Sequence, residues 1–175
     1  YLGLVHRLDR PVSGVVLFAR TSKAAARLSE QFRAGKVRKT YVAWVEGSPA
    51  EPVGTLTDHL VKDRQRNVVR AVSAAIVDAR RAVLEYRTLK RTGATTLLEV
   101  RPHTGRPHQI RAQLAARGLP IVGDVKYGAR PARAGRILLH AAELTFEHPV
   151  LREPVTVSAR LPDDWSEFDE HRPAQ

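Results

Sequence analysis

The runs VLEYRTLKR (83–91) and TTLLEVRP (95–102) meet at Thr92-Gly93, a polar-glycine pair between two β-prone stretches. That arrangement predicts an antiparallel hairpin, because each run has the β-branched and apolar content of a half-buried strand and glycine eases a tight reversal. KTYVAWVEG predicts another strand over Thr40 to Val45, closed by Gly47 and Pro49. LLHAAELTFEHP and PVTVSARLP predict two more, split by a turn at Pro149 to Pro154, and a further strand is expected over Gly14 to Ala19. Helices are fewer. Ser22 is placed to cap one that runs through Leu28 and Phe32 to a stop at Gly35. HQIRAQLAARG has Ile110, Leu114 and Ala115 on one side and ends at Gly118. The charged stretch from Leu56 to Ala75 is expected to be a surface loop or hairpin. Recurrent hairpins with few helices predict an α+β fold, built on a mixed, largely antiparallel sheet with flanking helices and loops. Residues 1–162 are expected to form one domain and 163–175 a loose acidic tail.

Composition narrows the function. Lys and Arg number 29 against 18 Asp and Glu, a formal +11. Such an excess repels itself in a folded chain and suits a polyanionic partner, of which nucleic acid is the leading kind. An Arg- and Ala-rich proteome would leave a similar mark. Cysteine is absent, which excludes disulfides, thiol catalysis and zinc–thiolate sites and suits a reducing, cytoplasmic setting. No run approaches the roughly 18 apolar residues needed to cross a bilayer, so no membrane partner is expected.

Three polar clusters interrupt the apolar pattern: HRLDRPVSG (6–14), KTY (39–41) and HTGRPHQIR (103–111). In the first, Asp9 lies among Arg7 and Arg10, whose positive charge would keep a carboxylate ionised for attack or proton transfer. A structural Arg–Asp pair explains the same residues. His103 and His108 are five positions apart across a Gly-Arg-Pro turn with no evident acidic third ligand, so no metal site is expected. Thr104-Gly105-Arg106 reads either as an anion-binding turn or as a plain turn with surface cations. Ser13, His6 and Asp9 crowd one loop without a nucleophile elbow, which argues against a hydrolase triad. No phosphate-cradling or dinucleotide motif is present, and no nucleotide cofactor is expected.

HRLDRPVSG resembles the signature loop of the RluA-like family of RNA pseudouridine synthases. The likeness continues in register through GVVLFARTSKAA, KTYVAWVEG, LLEVRPHTGRPHQIRAQLA, GLPIVGDVKYG and LLHAAELTFEHP, from Tyr1 to about Leu161. The resemblance implies a cofactor-free isomerase that acts on structured RNA, ribosomal or transfer, and is expected as a monomer. Asp9 matches the essential aspartate, Tyr41 the tyrosine that packs on the base and helps remove its C5 proton, and Arg111 the basic partner of the aspartate. Arg7 matches the arginine that enters the RNA stack when the uridine leaves it. Ile110 matches an apolar pocket residue, and Arg10, Lys39, Arg106 and His108 are carried as support or RNA contacts. Pro11-Val12 departs from the residue pair usual in the family, and the family's upstream Lys-Pro strand does not precede Tyr1, which suggests N-terminal truncation. An RNA-binding relative without catalysis and a nucleoside hydrolase using Asp9 are the competing readings.

Overall fold

In the computed structural model the described residues are 1–132 and 136–168, with side chains described to 165. Among these described residues ten strands and two α-helices follow in chain order. They are β1 (Gly3–Leu4), β2 (Ser13–Gly14), β3 (Phe18–Ala19), α1 (Ser22–Arg33), β4 (Arg38–Glu46), β5 (Val53–Asp63) and β6 (Val68–Val72). They continue as β7 (Arg80–Thr92), β8 (Thr95–Pro102), α2 (Gln109–Ala115), β9 (Leu139–Glu147) and β10 (Pro154–Ser158). The main sheet runs β10-β9-β4-β8-β7-β5-β6, antiparallel at every step, and β2 adds a short parallel pairing to β9. The fold is α+β with a largely antiparallel sheet, as expected.

The β7–β8 hairpin turns where Thr92-Gly93 placed it, with Thr92 opposite Thr95. Along β8, Thr96, Leu98 and Val100 are buried at every second position, the pleat burying one set of side chains. Leu98 and Val100 join Ala43 and Val45 of β4, Leu84 of β7 and Ile110 and Leu114 of α2 in the main core. Burying Leu114 and Ile110 contributes on the order of 2 kcal/mol each, enough to clamp a helix of only seven residues that would not persist alone. The other side of β4 buries Val42 and Trp44 against Val122, Leu138 and Trp165. Helix α1 covers a separate cluster of Ala19, Leu28, Val37, Leu144 and Phe146.

Several expectations need correction. The strand foreseen over Gly14 to Ala19 is broken into β2 and β3. Gly14 has φ +117, and a Cβ there would lie 2.2 Å from the Ala141 carbonyl oxygen, so only glycine lets the opening segment approach β9 this closely. The cap of α1 is Thr21, whose hydroxyl accepts the Ala24 N–H at 3.1 Å, rather than Ser22. The charged stretch 56–75 takes the hairpin form of its two expected alternatives, as β5 and β6, but it is not confined to the surface: it buries Leu60 and Val69 with Ala82 and Ala112. The start of the expected tail forms a 3-10 helix over Asp163–Phe168 and buries Trp165. Residues 169–175, and 133–135 of the basic loop Arg130 to Arg136, lie outside the described residues.

Candidate active site

The three polar clusters, distant in sequence, converge on one cleft of about 510 Å³. Arg7 and Asp9 come from the loop between β1 and β2, Lys39 and Tyr41 from β4, and Arg106, His108, Ile110 and Arg111 from the approach to α2 and the helix itself. Lys62 and Asn67 of the β5–β6 hairpin also line it. Arg10 does not line the cleft; it is exposed on the turn after Asp9.

Asp9 sits at the junction. Its carboxylate oxygen Oδ2 accepts from Arg111 Nη1 at 3.1 Å, and His108 Nε2 lies 4.0 Å from the same oxygen. Arg111 is itself fixed from behind: Nε and Nη2 donate to the two oxygens of Asp124 at 2.7 and 2.8 Å. Its guanidinium carbon lies 4.9 Å from the centre of the Tyr127 ring, a cation–π contact. Burial opposes the Arg111 charge, but the hydrogen bonds and charges of Asp124 and Asp9 outweigh it and raise the pKa. A fork-shaped guanidinium suits this double duty, two N–H groups holding one carboxylate while a third reaches another.

Tyr41 lies where the β4–β9 register shifts between Thr40 and Tyr41. Such a bulge re-aims a side chain, here into the cleft. Burial, assisted by the negative charge of Asp9, pushes its phenol up to about 12. Tyr41 is therefore a protonated phenol at neutral pH, able to donate a hydrogen bond or stack but not to serve as a ready base. Burial lowers the Lys39 pKa as well. His6 stacks on Phe32, with ring centres 4.6 Å apart, and its Nε2 accepts the Leu17 N–H at 2.9 Å. Burial first, then the nearby Lys39 charge, lowers the His6 pKa.

The triad geometry set aside from sequence does not form. Ser13 Oγ pairs with His140 Nδ1 at 2.8 Å, while His6 is occupied with Phe32 and Leu17. The histidines of the third cluster part as well: His103 meets Glu85 at the surface and His108 faces Asp9. Thr104 and Arg106 do form a tight turn, bound to the Gln109 side chain through the Thr104 hydroxyl at 2.7 Å and the Arg106 N–H at 3.0 Å. Arg106 Nε also donates to the Arg81 carbonyl, so part of its donor capacity is spent within the fold.

Two residues that shape the site were not singled out from sequence, Asp124 and Tyr127. Both stand in GDVKYG, where an acid and an aromatic ring lie between two glycines. That pattern marks a tight, non-repetitive segment, and the structure makes it a 3-10 turn over Val125–Tyr127.

The chain's relatives are of one kind. Residues 1–116 match the sequence model described as RNA pseudouridylate synthase. An uncharacterized RNA pseudouridine synthase of Chloroflexus aurantiacus is 42% identical over 164 residues, 93% of this chain and 51% of that protein. Ribosomal large subunit pseudouridine synthase D of Xanthomonas campestris is 41% identical over 179 residues, 93% of this chain and 52% of the relative. The tRNA pseudouridine synthase C of Vibrio cholerae is 36% identical over 180 residues, covering 92% of this chain and 73% of the relative. The chain thus spans about half the length of the first two of these relatives. Among solved structures, Human RNA Pseudouridylate Synthase Domain Containing 4 superimposes with a TM-score of 0.80 at 27% identity, over 95% of this chain and 74% of that one. The fold is that of a pseudouridine synthase catalytic domain. The chain belongs to the RNA pseudouridylate synthase family, on its RluA-like side.

Proposed function

We propose that this chain isomerises uridine to pseudouridine in structured RNA, ribosomal or transfer, with Asp9 as the reacting carboxylate. The observation that carries the reading is the placement of Asp9, Tyr41 and Arg111 around one cleft, in a chain of this family. The names of the relatives point to both RNA classes. The protein is proposed to act as a monomer in the cytoplasm, in keeping with a cysteine-free chain.

The reaction breaks the bond between N1 and C1′, turns the uracil, and joins C1′ to C5; C5 loses one proton and N1 gains one. Nothing is oxidised or reduced. A stacked uridine must first leave the RNA helix, which costs a few kcal/mol. Arg7, exposed at the mouth of the cleft, offsets part of that loss by stacking in the vacated space. Asp9 then either attacks C1′ or assists elimination to a glycal, since positive charge develops at the sugar carbon on both routes. Arg111 keeps the carboxylate oriented. Tyr41 packs on the uracil as it turns and offers a phenolic hydrogen. Lys39, Lys62 and Arg106 supply positive charge at the cleft for the RNA backbone.

Tritium release from RNA carrying 5-tritiated uridine tests the proposal. RNA from cells lacking the gene should release label with the protein, and Asp9→Asn should abolish release while RNA binding is largely kept. Turnover by Asp9→Asn comparable to the parent would reject the assignment. Free uracil among the products would show a hydrolase instead, and binding without release would show an RNA-binding relative.

A further inference from the structure

His108 opens α2 with a left-handed backbone, φ 49, yet its side chain makes no capping bond to the helix. The imidazole is turned away into the cleft, where its two nitrogens have different neighbours. Nδ1 lies 2.8 Å from the Tyr127 hydroxyl, and Nε2 lies 4.0 Å from Asp9 Oδ2. The Tyr127 hydroxyl already accepts the Val69 N–H at 2.9 Å. Its own hydrogen has one acceptor among the described residues, and that is His108 Nδ1. The chain of donors therefore runs from Val69 N–H to the Tyr127 oxygen, and from the Tyr127 hydrogen to Nδ1.

A neutral imidazole whose Nδ1 accepts carries its hydrogen on Nε2. Burial lowers the His108 pKa, and Arg111, Lys126 and Lys62 lower it further against the opposing pull of Asp9, so the neutral ring is favoured. Both His108 Nε2 and Arg111 Nη1 face Oδ2 of Asp9, and among the described residues Oδ1 accepts no hydrogen bond.

We infer that His108, locked by Tyr127 into its Nε2–H form, is a positioning residue that joins Arg111 in holding Asp9 Oδ2 and leaves Oδ1 to meet the uridine. The inference rests on Asp9 being the reacting carboxylate. His108 acts through Asp9 and touches no reacting atom; a closure of about 1 Å brings Nε2–H within hydrogen-bond reach.

Two replacements separate this role from a structural one. Gln places an amide N–H near the position of Nε2, whereas Asn reaches only to that of Nδ1. A left-handed backbone tolerates Asn better than Gln, so a purely structural role favours Asn and a donor role favours Gln. His108→Gln should lower kcat in the tritium-release assay by about threefold and His108→Asn by about thirtyfold, or roughly 2 kcal/mol for the latter, with KM little changed in both. Nitrogen-15 NMR of the labelled protein should show His108 as the Nε2–H tautomer, and Tyr127→Phe should convert it to a mixture. An Asn variant at least as active as Gln, or an Nδ1–H ring in the parent protein, would overturn the inference. If Asp9→Asn is dead while those outcomes occur, only His108's role fails; if Asp9→Asn turns over, the proposed function itself fails.

Discussion

The two walls of the cleft are built in opposite ways. The wall that carries Arg111 is woven into the sheet. Gln113 donates to Asp58 and the Leu56 carbonyl, Gln109 donates to the Val83 carbonyl, and Arg111 is clasped by a carboxylate only 1% exposed. The wall that carries Asp9 is an irregular loop. It is held by the Val12 N–H to Asp9 carbonyl bond, by Ser13 on His140, and by His6 on Leu17. Asp9 itself is 28% exposed. The stiff wall thus sets the charge, and the lightly anchored wall presents the group proposed to react, a division that suits a site which must admit a bulky polyanion and still hold one carboxylate in place.

The sharpest way to break this contrast is to remove the central residue of each wall. Arg111→Ala strands Asp124 as a buried, unpaired carboxylate, and should cost about 3–5 kcal/mol of stability. Asp9→Asn touches a partly solvated pair and keeps an acceptor for Arg111; it should cost about 1 kcal/mol or less. Urea denaturation of both variants checks the ratio. Equal losses would mean that the loop wall bears as much of the fold as the helix wall does.

Tyr41 stands between the walls and reports on how dry the cleft floor is. Its folded pKa, about 12, is above the ordinary tyrosine value of 10. Between the two values the unfolded chain loses the phenolic proton while the folded chain keeps it. The stability linked to Tyr41 is therefore fully present below about pH 10 and is lost as pH rises toward 12. Urea midpoints at pH 9 and pH 11 should fall further for the parent than for Tyr41→Phe. Parallel falls would show that the phenol is in contact with water.

The difference between the walls also explains what could be read from the sequence. Helix α2 and the β7–β8 hairpin were legible because their signals are local: apolar spacing that ends at Gly118, and a glycine turn between strand-like runs. Asp9, Tyr41 and Arg111 were legible through a motif resemblance, and the structure places all three at the cleft. Arg10, carried as a support or RNA contact, lies outside the cleft, exposed on the turn after Asp9. Asp124 and Tyr127 were missed because their partners, Arg111 and His108, are set by the fold rather than by any helical or strand period. The broken strand at residues 14–19 was missed for a similar reason: Gly14 reads as an ordinary strand glycine until Ala141 is known to press against it.

His6 offers the finest probe of the loop wall, because its ring holds the opposite tautomer to the one inferred for His108. Its Nε2 accepts the Leu17 N–H, so the ring keeps its hydrogen on Nδ1, and burial together with Lys39 holds its pKa below 6.5. An opened loop takes up a proton near pH 6.5, whereas the closed loop resists until lower pH. Closure is therefore weakened as pH falls below about 6.5 and is unaffected above it. Amide exchange of Leu17, corrected for its intrinsic pH dependence, should speed up severalfold between pH 7 and pH 5. Amides of α2 such as Ala112 should change less, since that wall is also tied through Arg111–Asp124 and Gln113. In His6→Gln, whose side-chain oxygen accepts a hydrogen bond without titrating in this range, the difference between the two pH values should disappear. If it persists, another group opens the loop; if Ala112 loosens first, the order of rigidity between the walls is reversed.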